Sequence, residues 1–173
     1  MAYTTIDNPF KYFNTVLYTG NGGTQSITGV GFQPDWVWCK GRNFVDNHIS
    51  FDSVRGATKV FKPNLTNAET TVGATLTSFD SDGFSLGSDG EINQNNKTFV
   101  GWNWKAGTAF SNDASATGIG TIDSVGSVST TAGFSVCSWT GNSGTIAHGL
   151  GVKPDVIWIK SRQTANNWVV LHK

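Results

Sequence analysis

Gly29-Val30-Gly31-Phe32-Gln33-Pro34-Asp35-Trp36-Val37-Trp38-Cys39-Lys40-Gly41-Arg42 returns later in the chain as Gly149-Leu150-Gly151-Val152-Lys153-Pro154-Asp155-Val156-Ile157-Trp158-Ile159-Lys160-Ser161-Arg162. In both copies a turn marked by glycine and proline feeds a short apolar run that ends in Lys-x-Arg. A short apolar run bounded by polar residues is the pattern of a strand covered on both faces. The chain therefore reads as all-β. Pro34 and Pro154 lie 120 residues apart, a domain-sized period and not that of a solenoid. The earlier string Tyr18-Thr19-Gly20-Asn21-Gly22-Gly23-Thr24 also returns, as Trp139-Thr140-Gly141-Asn142-Ser143-Gly144-Thr145. Asp46-Asn47-His48-Ile49 faces Asn166-Asn167-Trp168-Val169. The second copy reaches Lys173 before any counterpart of residues 52–104. The expectation is that the natural chain continues, or that its last strands complete a sheet elsewhere.

The composition agrees with this reading. Among 173 residues there are 21 glycines and 7 tryptophans, as suits strands joined by tight turns. Charged residues are 14% and cancel to zero, so no field draws the chain to nucleic acid or anionic lipid. No apolar stretch is long enough to span a membrane as a helix. Residues 1–5 lack the basic and apolar regions of a signal peptide, which points to synthesis and assembly in a cytoplasm. Cys39 faces Ile159 in the repeat and Cys137 faces Val16, so each is read as a small buried hydrophobe, not half of a disulfide.

The pattern divides the chain into an N-terminal segment (residues 1–13), a first β-sandwich unit (14–108), a Gly/Ser/Thr-rich connection (109–131) and an incomplete second β unit (132–173). The sandwich is expected to be antiparallel and jelly-roll-like. Asn21-Gly22 is a strong hairpin signal. In Thr98-Phe99-Val100-Gly101-Trp102-Asn103-Trp104, alternation puts Val100, Trp102 and Trp104 on one face, and these tryptophans are assigned to the core. Helix is expected only as one turn within residues 64–69.

Little in the sequence resembles catalytic machinery. Gly83-Phe84-Ser85-Leu86-Gly87 has the letters of a hydrolase nucleophile elbow but no helix pattern after it. Asp80-Ser81-Asp82-Gly83 is the place where calcium would sit; the stronger reading is a turn, and no cofactor is expected. The repeated Trp-x-Lys-x-Arg is the most suggestive polar feature. Lys40, Arg42, Lys160 and Arg162 are candidate contacts for a ligand or partner, against the plainer reading of strand-end bases paired with Asp35, Asp52 or Asp155. Trp36 and Trp168 are the tryptophans best placed to stack on a sugar.

These same stretches, together with Phe51-Asp52-Ser53-Val54-Arg55-Gly56, Ser78-Phe79-Asp80-Ser81-Asp82-Gly83-Phe84 and Gly101-Trp102-Asn103-Trp104-Lys105-Ala106, resemble repeat-containing tail-fibre-like structural proteins of marine tailed phages, many infecting cyanobacteria. Gly133-Phe134-Ser135-Val136 fits the start of the family's next unit. The resemblance implies concanavalin-like β-sandwich modules and a non-enzymatic virion component. It also implies an N-terminal region anchored on the tail, further modules facing the host, and a homotrimer. Partners would be other tail or capsid proteins and a host surface glycan. The alternatives are a capsid-surface decoration protein and a glycan-binding or glycan-cleaving module.

Overall fold

The computed structural model describes residues 6–141 and 143–173. Residues 1–5 and Asn142 of the repeated turn lie outside the described residues. The first unit is built from β1 (Phe13–Thr19), β2 (Gln25–Ile27), β3 (Trp36–Gly41), β4 (Ile49–Asp52), β5 (Lys59–Val60), β6 (Thr70–Thr71), β7 (Leu76–Asp80), β8 (Gly83–Leu86) and β9 (Thr98–Trp104). After it come β10 (Thr108–Asn112), β11 (Ser124–Ser129), β12 (Phe134–Trp139), β13 (Val156–Ile159) and β14 (Val169–His172). The fold is an all-β sandwich with antiparallel sheets, as the sequence implies.

In the first unit a four-stranded sheet of order β1-β9-β3-β4 lies over a three-stranded sheet of order β2-β8-β7. Alternation along each strand sends every second side chain inward. Val16, Val37, Cys39, Ile49 and Phe51 meet Ile27, Leu76, Phe84 and Leu86 in one core. Burial pushes the Cys39 thiol up to about 12 and the hydrogen bond from Tyr18 only partly offsets it, so this cysteine behaves as a hydrophobe. Both cysteines are free thiols.

Four expectations are corrected. Asn21-Gly22 does not close a hairpin, because β1 pairs with β9 while β2 pairs with β8. The glycine loop instead crosses between sheets and is held by fully buried Asn93. Its amide donates to the carbonyls of Gly23 (2.7 Å) and Gly87 (2.8 Å), and its Oδ1 accepts from Asn21 N (3.0 Å). A turn signal states that the chain bends, but long-range pairing decides which strands it joins. Second, Trp102 and Trp104 point out of the core. The buried residues of β9 are Phe99, Gly101 and Asn103, and a methyl group at Gly101 would lie in contact with Phe84 and Val16 at 3.4 Å. Third, residues 109–131 are not a loose connection. They hold a short helix (Ala114–Thr117) together with most of β10 and all of β11, which belong to a three-stranded sheet of order β10-β11-β12. Their small residues serve close packing, since a methyl group on Gly126 would collide with the Phe110 ring at 2.5 Å.

The helical turn expected within 64–69 is absent; the chain makes a turn there, with Leu65 N donating to Lys62 O at 3.0 Å. A short helix forms instead over Gly90–Asn93, where the Asp89 side chain caps Glu91 N at 2.9 Å.

The repeat survives in three dimensions. β3 pairs with β4 through Trp36↔Asp52, Val37↔Phe51, Trp38↔Ser50 and Cys39↔Ile49. β13 pairs with β14 through Val156↔His172, Ile157↔Leu171, Trp158↔Val170 and Ile159↔Val169. Each pair is the other displaced by 120 residues.

Candidate functional site

The outward tryptophans form one aromatic surface on the first unit. β3 and β9 pair Trp36 with Trp104 and Trp38 with Trp102, so four indoles share one face. Trp36 and Trp104 lie 4.5 Å apart between ring centroids. Such rings attract through dispersion and quadrupole terms, each pair contributing about 0.5–1.5 kcal/mol beyond its buried area.

The second unit lies on this face. Phe134 stacks on Trp36 at 6.1 Å and on Trp104 at 6.5 Å. Trp158 meets Trp36 and Trp38 edge-on, each at 5.7 Å. Trp38 and Trp158 are counterparts in the repeat, so equivalent residues touch each other across the seam.

A charged clamp flanks the aromatics. Arg162 grips Glu69 through two hydrogen bonds, Nε to Oε2 and Nη2 to Oε1, both 3.0 Å. Arg55 reaches the same carboxylate at 3.1 Å, pairs with Asp52, and lies 4.0 Å over the Phe61 ring. Burial alone would raise the Glu69 carboxyl; the hydrogen bonds and charges of Arg162 and Arg55 outweigh it and hold it below its ordinary value. Lys160 Nζ donates to Thr66 O at 3.1 Å, and Trp168 packs edge-on against Phe61 at 5.6 Å.

Four of the six contact candidates thus converge on the seam: Trp36, Lys160, Arg162 and Trp168. Lys40 and Arg42 do not share the clamp. Lys40 Nζ donates to Gly41 O at 3.1 Å, and Arg42 is exposed at the end of β3. The acids expected to pair with these bases are engaged elsewhere. Asp52 holds Arg55, Asp155 holds Lys173, and buried Asp35 accepts from Ala106 N, Gly107 N and the Ser53 hydroxyl. Asp35 forms the floor of an open cleft of about 530 Å³ beside the seam, lined also by Gln33, Lys105 and Ser127.

The remaining motifs have structural partners. Ser85 sits within strand β8, where its hydroxyl donates to Asp80 Oδ2 at 2.7 Å and lies 3.0 Å from the Ser26 hydroxyl. Among the described residues no histidine bonds to it. Asp80 also accepts from Ser78, and Asp82 accepts from Gly29 N and Gly31 N, which lower its pKa. His48 accepts from Trp38 Nε1 at 2.9 Å, and burial with nearby Lys40 lowers its pKa.

The residues that sequence reasoning missed are Glu69, Phe134 and Trp158. Phe134 and Trp158 occupy the repeat positions of outward Phe13 and Trp38, so assigning the faces correctly would have found them. Nothing in the sequence marks Glu69.

A family profile matches residues 8–173, so it takes in both units and the seam between them. The chain belongs to the DUF7483 family. The DUF7483 family is described as a domain of unknown function. No curated protein and no solved structure matches the chain.

Proposed function

We propose that this chain is a structural component of a phage virion, a tail fibre or tail-associated protein. Its N-terminal region anchors it and its further modules face the host. The observation that supports this reading is the seam: tandem units of one register, joined face to face by tryptophans and by the Arg162–Glu69 clamp. Such a joint holds successive modules against one another, as a structural component requires. In this reading the partners are other virion proteins and a host surface glycan, and the assembly is a homotrimer in the virion. The resemblance of the repeated stretches to tail-fibre-like proteins supplies the setting.

Immunogold electron microscopy of purified virions, with antibody raised against residues 1–108, tests it. Gold on the tail or its fibres is the expected result. Gold spread over the capsid would make the protein a shell decoration and end the search for a host receptor. Virions without gold would sink both readings.

A further inference from the structure

Asn21-Gly22 is the chain's one Asn-Gly pair, and that pair carries its own chemistry. The backbone nitrogen of the glycine loses its proton and bonds to the asparagine side-chain carbon Cγ. This closes a succinimide ring and expels the side-chain nitrogen as ammonia. Water then opens the ring at either carbonyl, leaving aspartate or isoaspartate. Glycine leaves the attacking nitrogen unshielded, because it has no side chain and turns freely. In an unfolded chain nothing opposes the step.

In the folded chain every atom that the step needs is engaged. Gly22 N, the nucleophile, donates to the Asn93 carbonyl at 2.8 Å. Asn21 Oδ1 accepts from Gly23 N at 2.8 Å and from Asn93 Nδ2 at 3.2 Å, while Asn21 Nδ2, the leaving nitrogen, donates to Thr24 O at 3.0 Å. Asn21 N donates to Asn93 Oδ1 at 3.0 Å. Asn93 thus holds the pair through its main chain and through both polar atoms of its side chain, and it is itself fully buried. The flanks are pinned as well: Gly20 N donates to Lys97 O at 2.8 Å, and Asn96 N donates to Gly20 O at 2.9 Å. Asn21 is nevertheless exposed to solvent. The reaction therefore waits on a local opening that frees Gly22 N and lets Cγ swing onto it.

The product does not fit the same place. An aspartate at position 21 puts an oxygen where the amide nitrogen donated to Thr24 O, so acceptor meets acceptor. Isoaspartate adds a carbon to the main chain between β1 and β2, which belong to different sheets.

We propose that Asn21-Gly22 is a self-modification site gated by Asn93, and that its conversion unlatches the crossing between the two sheets of the first unit. The inference does not depend on the virion reading.

The test incubates the full chain in mildly alkaline buffer, folded and in unfolding urea, and follows residue 21 by peptide mapping and mass spectrometry. Conversion should be at least about tenfold faster in the unfolded chain, as for the loss of one or two net hydrogen bonds. Across low urea concentrations, conversion in the folded chain should rise in step with hydrogen exchange of the Gly22 amide. Folded Asn93→Asp, which keeps the acceptor oxygen and loses the side-chain donor, should convert faster than the unmodified chain. Asn21→Asp should fold with a faster-exchanging Gly22 amide. The urea series needs no variant, so the gate is tested even if Asn93→Asp does not fold. The proposal is overturned by equal conversion in folded and unfolded chains, by none in the unfolded chain, or by conversion that stays flat while Gly22 exchange rises. Folded Asn93→Asp converting no faster would remove Asn93 as the gate, and unchanged Gly22 exchange in Asn21→Asp would overturn the unlatching.

Discussion

The β3–β4 and β13–β14 hairpins share a register and differ in almost everything around it. In the first, Val37, Ile49 and Phe51 are sealed between two sheets; in the second, Val169 and Leu171 are about half exposed. Register is therefore local information, written in the alternation of each strand and in the turn between them. Burial is supplied by the rest of the unit. The same divide separates Asp35 from Asp155. One is buried and ties the β3 end to the start of β10, while the other makes an exposed ion pair with Lys173.

The sharpest way to break the comparison is truncation at paired positions. Phe51→Ala should cost about 3–5 kcal/mol, as a buried aromatic leaving a cavity does. Leu171→Ala should cost less than about 1 kcal/mol. Urea unfolding of the two variants reads the difference, and equal losses would mean that the second hairpin is buried after all. Asp35→Ala comes next. It orphans two backbone N–H groups and the Ser53 hydroxyl, and should cost about 2–3 kcal/mol, against less than about 0.5 for Asp155→Ala.

Smaller still is the effect at the clamp. Arg162→Ala should cost about 1 kcal/mol, because the arginine is partly exposed. The Glu69 carboxyl sits below its ordinary 4.5, so its contribution is present above that pH and is lost as pH falls through the lowered value. Near-ultraviolet circular dichroism of the seam tryptophans should therefore change in acid, and Glu69→Gln should remove that part of the change. The least effect concerns His48. Its folded value lies below 6.5, so the neutral ring that accepts from Trp38 is lost as pH falls through it. Trp38 emission should shift in that window, and His48→Gln should abolish the shift with little change in stability.

Much of this was legible in the chain. The repeat, the all-β class and strands such as Gly83–Leu86 and Thr98–Trp104 follow from alternation and turn residues. Which face of β9 goes inward did not follow. Trp102 and Trp104 are the more hydrophobic choice, yet the inner side of β9 holds Phe99, Gly101 and Asn103, packed close under Phe84 and Val16. Apolarity alone assigns tryptophan inward, whereas here its face meets another unit. Lys160, Arg162 and Trp168 stood out as repeated features, but their partners Glu69 and Thr66 lie in a loop without a pattern of its own, and Phe61 sits beyond β5 on a bridge to Ser50. Tertiary partners of that kind are set by packing between units, which no window of sequence contains.

The pairing order of the first unit has a consequence for synthesis. β1 leaves the ribosome early, while β9, its only sheet partner among the described residues, comes near the end of the unit. At roughly ten residues per second, several seconds pass in which β1 and β3 exist without the strand that joins them. During that interval the nascent first unit carries two strand edges that β9 has yet to cover. Translation speed through residues 52–104 thus sets how long a newborn chain can be captured by the wrong strand.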